Sequence, residues 1–196
     1  MTAAEAESDA DLVRRARAGE QRAFSLLMGR HKHWLYRFVR RYVGDADEAY
    51  DVLQDAFVAA MSNLPRYDSD RPFEAWLRRI ALNKCRDRGR REAVRRAFGL
   101  SRRGPEETEA VADCAAPADQ TLEASLALKA LDRAIAALPA ALKEPLVLTV
   151  LEGLSHREAG ALLSLSAKAV EVRVYRAKRQ LAEALDRGTM DGLIQP

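Results

Sequence analysis

Cysteine is scarce: Cys85 and Cys114 are the only two in 196 residues. They lie far apart in unlike contexts, so no disulfide is expected and a reducing compartment fits. No apolar run approaches the roughly 20 residues that a membrane helix needs. The N-terminus, MTAAEAESDADL, lacks the basic and apolar regions of a signal peptide. Membrane insertion is therefore not expected, and a cytoplasmic location is. His31 and His33 form an HxH, but no Cys, Asp or third His stands at ligand spacing, so no metal is expected. A Gly-rich phosphate loop and a Ser/His/Asp pattern are both absent, which leaves no catalytic residue and no cofactor to assign. Val/Ile-rich alternation is missing too, which argues against strands.

What is present is segregated charge. The formal net charge is only +3, but its distribution is uneven. Residues 71–103 hold twelve Lys/Arg against three Asp/Glu. Residues 104–127 hold six Asp/Glu and no Lys/Arg, and residues 44–63 hold five Asp/Glu and no Lys/Arg. Such segregation implies separate surfaces for partners of opposite charge.

Ala, Leu, Arg and Glu dominate, and nearly every segment has helical periodicity. A first helix is expected from about Asp9 to Ala18, ended by Gly19, with Leu12, Val13 and Ala16 inward. A second runs from Glu20 to Tyr42 with Phe24, Leu27, Leu35, Phe38 and Tyr42 on one face. A third, about Asp45 to Asn63, buries Ala49, Val52, Leu53, Ala56, Phe57 and Ala60. Its outer face carries Asp47, Glu48, Asp51, Gln54 and Asp55.

The chain is organised around RYDSDRPFEAWLRRIALNKCRDRGRR, residues 66–91. It opens as a polar loop, Tyr67 to Pro72, and continues as a basic helix from Phe73 to about Arg96. Phe73, Trp76, Leu77, Ile80 and Ala81 lie on one side of that helix. Arginines and Lys84 cover the rest. Cations neutralise phosphates, and an aromatic face can stack an unpaired base for roughly 1–3 kcal/mol. From Gly99 to about Ala118 the periodicity fails, and the composition reads as an extended acidic linker.

A second helical unit follows. One helix ends near Pro139. Another, Ala140 to Leu151, contains Pro145 and must accommodate it near its first turn or by a kink. Ser155-His156-Arg157-Glu158 is a capping box. It opens a short helix to about Leu163. A turn through Ser164 and Leu165 leads to a last helix, Ala167 to about Asp186, with Ser166 as its N-cap. Val170, Val174, Ala177, Leu181 and Leu185 form its buried stripe. A short capped helix, a tight turn and a longer basic helix make a helix-turn-helix pattern, whose second helix presents its N-terminal residues to the major groove.

With these blocks in order, the chain resembles bacterial RNA polymerase sigma factors of the extracytoplasmic-function (ECF) class. DLVRRARAGEQRAFSLLMGRHKHWLYRFVRRYVGDADEAYDVLQDAFVAA is similar to the start of sigma region 2. The 66–91 stretch is similar to its DNA-melting end, and LPAALKEPLVLTVLEGLSHREAGALLSLSAKAVEVRVYRAKRQL to sigma region 4. The resemblance implies an all-α fold of two small helical domains joined by an extended acidic linker. It places region 2 at 1–98, the linker at 99–118, region 4 at 119–188 and a tail at 189–196.

It also implies roles. Asp51, Gln54, Asp55 and Phe57 match positions that bind the coiled coil of the polymerase β′ clamp, and region 4 would meet the β flap. Tyr67, Asp68 and Arg71, in the Tyr67–Pro72 loop, fall in the element that captures a flipped −10 base. Trp76, Arg78, Arg79, Asn83 and Lys84 match the helix that holds the non-template strand. Ser166, Lys168, Glu171, Arg173 and Arg176 are the −35 candidates. An anti-sigma factor is an implied partner, and the protein would be nucleoid-associated within holoenzyme. It would not itself be an enzyme. The chain departs from the family with Ser164 where Gly is frequent in the turn, and with Ala159-Gly160 for a frequent Ile-Ala. Two other readings stand beside this one: a sigma mimic that titrates an anti-sigma factor, and a plain helix-turn-helix regulator. The first has no room here for a receiver domain, and the second leaves the first 95 or so residues unexplained.

Overall fold

The computed structural model describes residues 7–98 and 122–194. Among them every regular element is helical, in eight α-helices: α1 (Asp9–Arg17), α2 (Gln21–Val43), α3 (Ala46–Asn63), α4 (Phe73–Ala97), α5 (Leu122–Ala137), α6 (Ala140–Leu146), α7 (His156–Leu163) and α8 (Ala167–Ile194). The chain divides into two compact units, Met1–Val39 with Asp47–Gly99 and Arg40–Ala46 with Leu100–Pro196. The acidic stretch expected as the linker, with Cys114, lies outside the described residues. No helix among them is long and apolar enough to cross a membrane.

In the first unit the buried positions follow the helical period. Leu12 and Val13 of α1, Leu27, Leu35 and Phe38 of α2, Val52 and Leu53 of α3, and Leu77 and Leu82 of α4 are all within 3% of full burial. Burying each such side chain is worth about 1.5–3 kcal/mol. Ser8, which no apolar spacing marks, caps α1 by accepting from the Asp11 amide. At the other end of α1, Arg15 is held by Glu20 and Glu7. Gly19, at φ +93°, lets the chain reverse into α2. Asp9 ties α1 down: its carboxylate meets Arg30 and lies 2.8 Å from Nε2 of the buried His31. The other ring nitrogen of His31 accepts from the Trp34 indole N–H at 2.8 Å. The HxH histidine is thus a core tie between helices.

In the second unit, α6 continues into a π-helical turn, Val147–Leu151. Pro145 lies inside α6 and cannot donate to the preceding turn, so the regular ladder is broken there. Ile135, Leu146, Val147, Leu148, Ala159, Val170, Val174 and Ala177 make the core. The capping box forms as expected. Ser155 Oγ accepts from the Glu158 amide at 3.2 Å, and the Ser155 amide donates back to Glu158 at 2.8 Å. Ser164 ends α7 in the left-handed region at φ 57°. The α8 helix continues to Ile194, well past the expected end near Asp186 and through most of the expected tail.

Candidate nucleic-acid interface

The first unit carries an acidic face and a loop-and-helix surface. On α3 the apolar positions turn inward, which leaves Asp51, Gln54 and Asp55 exposed on successive turns while Phe57 is half-buried. Val58 and Met61, 66% and 51% exposed, extend that outer face as apolar ground. Glu48, at the head of α3, reaches Arg88 of α4 at 2.9 Å. That ion pair raises the Arg88 pKa, mainly through the hydrogen bond itself.

Between α3 and α4 a 3-10 turn, Leu64–Arg66, feeds the polar loop. Asp68 organises the turn that follows. Its carboxylate accepts from the Asp70 amide at 3.1 Å and pairs with Arg71 at 3.3 Å, and its carbonyl accepts from the Arg71 amide. Asp68, Ser69, Asp70 and Arg71 are all exposed. Beneath them sits an aromatic cluster. The Tyr67 ring lies 5.5 Å from Phe73 and 4.9 Å from Trp76, and Phe73 lies 5.3 Å from Trp76. Phe73 also meets the ring of His31 at 5.2 Å. Tyr67 is only 6% exposed, and its hydroxyl donates to the Arg71 carbonyl. Burial pushes its phenol pKa up, with the carboxylates of Asp9 and Asp68 adding to the effect.

The α4 candidates separate by exposure. Arg79 and Asn83 are exposed, while Trp76 and Lys84 are half-buried. Arg78 is 7% exposed, pairs with Glu74 at 2.6 Å and places its guanidinium 4.9 Å from the centre of the Trp34 ring. In this structure the cation faces inward and stabilises the unit, so of the α4 candidates it is the least accessible to a strand. Tyr67 is likewise inward in this structure, where its ring supports the loop from below.

In the second unit Ser166 caps α8, its Oγ accepting from the Ala169 amide at 3.1 Å. The stripe Val170, Val174, Ala177 and Leu181 is buried. Three- and four-residue spacing puts Lys168, Glu171, Val172, Tyr175 and Arg179 on the opposite face. Val172 and Tyr175 are 38% and 68% exposed. Lys168 pairs with Glu171 at 2.9 Å, and that hydrogen bond holds the Glu171 carboxyl below its usual range. Arg176 is exposed, and Arg173 is half-buried on the flank of the stripe. Val172, Tyr175 and Arg179 are absent from the −35 candidates expected from sequence, which weigh mainly charge. The helical wheel that locates the buried stripe also locates them.

The chain therefore has one unit with an acidic helix and an exposed loop, and a helix-turn-helix unit whose last helix has a mostly polar outer face. Family models agree with both. One described as Sigma-70 region 2 matches residues 27–95, and one described as Sigma-70, region 4 matches residues 128–181. The chain is 40% identical over 182 residues to the RNA polymerase sigma factor CnrH of Cupriavidus metallidurans, covering 92% of this chain and 95% of that one. It is 32% identical over 183 residues to the ECF RNA polymerase sigma-E factor of Escherichia coli K12, covering 91% and 93%. The chain belongs to the ECF sigma factors. This sigma factor also matches the structure of CnrH in complex with the cytosolic domain of CnrY, with a TM-score of 0.64 and 36% identity over 91% of this chain and 97% of that one. It is a member of a family of DNA-binding transcription initiation factors, and its α3 face, its polar loop and its α8 face lie within the matched segments.

Proposed function

We propose that this sigma factor docks on core RNA polymerase through the α3 face and directs initiation at promoters by two separate contacts. Asp51, Gln54 and Asp55 offer carboxylate and amide groups to a basic helical partner such as the β′ clamp coiled coil, with Phe57 filling the seam. The second unit would bind the β flap and present α8 to the −35 duplex. Ser166, Lys168, Glu171, Arg173 and Arg176 remain the proposed contacts there, and Val172, Tyr175 and Arg179 join them. The Tyr67–Arg71 segment captures a base flipped from the −10 element, with Asp68 and Arg71 at its exposed turn, and Trp76, Arg79, Asn83 and Lys84, with the inward-facing Arg78 behind them, hold the displaced strand. Flipping costs a few kcal/mol of unstacking, which loop contacts and phosphate neutralisation can offset.

The observation that carries this reading is the Asp68–Arg71 turn. It is exposed, internally hydrogen-bonded and seated on an aromatic cluster at the head of a basic helix. Such a turn is pre-organised to receive a single base, with little ordering left to do on binding. An anti-sigma factor would hold the protein inactive, as the complex of its relative CnrH with the CnrY cytosolic domain suggests by analogy. The work would be done in the cytoplasm, on the nucleoid, with the polymerase supplying all covalent chemistry.

The test is run-off transcription with bacterial core polymerase on genomic DNA, with and without this protein, mapping new RNA 5′ ends. Discrete starts that share two upstream sequence blocks are expected. Core binding without new starts would instead favour a sigma mimic. An operator complex formed with no affinity for polymerase would favour a plain helix-turn-helix regulator.

A further inference from the structure

The polar loop is held from a helix that lies outside the segment matched to region 2. Arg17, in the last turn of α1, sends its guanidinium to the chain entering the loop. Nε donates to the Leu64 carbonyl at 3.0 Å. Nη2 reaches the Pro65 carbonyl at 3.5 Å and the Tyr67 carbonyl more closely. The guanidinium carbon also stands 5.8 Å from the Tyr67 ring centre. Three backbone oxygens within four residues thus share one planar cation. The region 2 match begins only at residue 27.

The far end of the loop is fixed through the same tyrosine. The Tyr67 hydroxyl donates to the Arg71 carbonyl, and the Asp68 carboxylate closes the turn between them. Tyr67 is the hinge pin of this arrangement, because its carbonyl is gripped by Arg17 and its hydroxyl grips Arg71. A shift in the Leu64–Tyr67 backbone would therefore be carried through the ring to residue 71. The α1 helix is itself seated by Asp9 on Arg30 and His31, so the fork stands on a fixed base.

We infer that Arg17 is a positioning residue for base capture: it sets the geometry of the Asp68–Arg71 turn without touching DNA. This rests on the reading of that turn as the −10 base receptor. A fork-shaped guanidinium suits the task, because its Nε and Nη2 reach different carbonyls from one rigid group, whereas an ammonium on a flexible stem offers a single point charge. A positioning role predicts a loss of discrimination between bases, and a merely structural role predicts a uniform loss of affinity.

The experiment uses the full chain assembled with core polymerase. The probe is a fluorescein-labelled single-stranded oligonucleotide carrying the non-template −10 block mapped by the run-off assay, together with variants of it changed one base at a time. Arg17→Ala is compared with Arg17→Lys, with Asp68→Ala, and with Arg14→Ala as an α1 control. In Arg17→Ala the preference for the cognate base at one position is expected to fall by about tenfold, about 1.4 kcal/mol of discrimination. Arg17→Lys should share most of that loss, Arg14→Ala should show none, and core binding and −35 duplex affinity should be kept. If Asp68→Ala loses discrimination while Arg17→Ala keeps it, the inference is overturned and the turn's role stands. An equal loss on every oligonucleotide, with the preference intact, also overturns it. If Asp68→Ala itself leaves discrimination unchanged, the turn is not the receptor, and the inference falls with that reading.

Discussion

The carbonyl oxygen of Leu165 stands 2.5 Å from where a Cβ on Gly160 would lie. The α7 helix therefore needs glycine at that position for the turn to close over it, although glycine costs a helix interior about 1 kcal/mol. The same turn places Ser164 at φ 57°. Gly160→Ala is expected to destabilise the helix-turn-helix by about 1–3 kcal/mol through overpacking, and to weaken −35 duplex binding while sparing −10 oligonucleotide binding. Ser164→Gly acts oppositely, gaining about 0.5–1 kcal/mol by relieving the left-handed backbone. Thermal melts of the full chain, paired with the two binding assays, check both.

Arg78 and Arg79 are neighbours in sequence with different work. Arg78→Ala removes the cation over Trp34 and the pair with Glu74. It should cost about 1–3 kcal/mol of stability while leaving the salt dependence of single-strand binding intact. Arg79→Ala should leave stability within about 0.5 kcal/mol. It should lower the slope of log K against log salt by about 0.7 for each phosphate that is no longer neutralised. A slope change in Arg78→Ala would instead show that this residue also neutralises a phosphate.

The Tyr67 phenol pKa is raised, chiefly by burial. The folded chain therefore holds that proton more tightly than the unfolded one. The associated stability is complete below the unfolded value of about 10, and it is lost as pH rises through the folded value. Melting temperature should decline above about pH 10, and Tyr67→Phe should flatten that decline. The same substitution should cost about 0.5–1.5 kcal/mol near neutral pH, because the bond to the Arg71 carbonyl is removed. Thermal melts of both chains from about pH 8 to about pH 11 check the sign.

Ser155 and Glu158 satisfy each other's amides at the head of α7. Ser155→Ala should cost about 1 kcal/mol. Glu158→Gln should retain most of the box, because its amide oxygen can still accept from the Ser155 amide. Comparing the melting temperatures of the two variants separates capping from charge.

The periodic parts of the chain are legible in its sequence. The start of α1, the end of α3, the start of α4 and the Ser155 capping box fall where apolar spacing and turn residues place them, because burial and capping are local rules. The orientation of long side chains is not legible. Arg78 and Arg79 are the same residue type in one basic run; the buried face of Leu77, Ala81, Leu82 and Cys85 takes in position 78, but that the Trp34 ring receives the cation there is visible only in the structure. Arg17 reads in sequence as one more exposed helix cation. Its partners are backbone carbonyls 47 to 50 residues away, and no side-chain pattern announces those. His31 resembles half of a metal motif and is instead a tie between Asp9 and Trp34. The π turn after Pro145 also needed the structure, since proline announces a break but not its form.

On the α8 face, Lys168 is engaged by Glu171 and Arg179 by Glu183 at 3.5 Å. Affinity for arbitrary duplex scales with the cations free to displace counterions, so these two ion pairs would lower the hold of this face on random sequence, leaving Arg173 and Arg176 to carry most of it. A genome presents on the order of 10⁶–10⁹ competing sites, and a strongly basic reading helix would be titrated by them. Pairing two of the five cations in residues 167–179 with carboxylates would, if α8 reads the duplex as proposed, leave more of the free protein available to polymerase. Under the proposed reading its grip on a promoter would then be a matter of effective concentration, with α8 arriving as the second contact of a tethered pair.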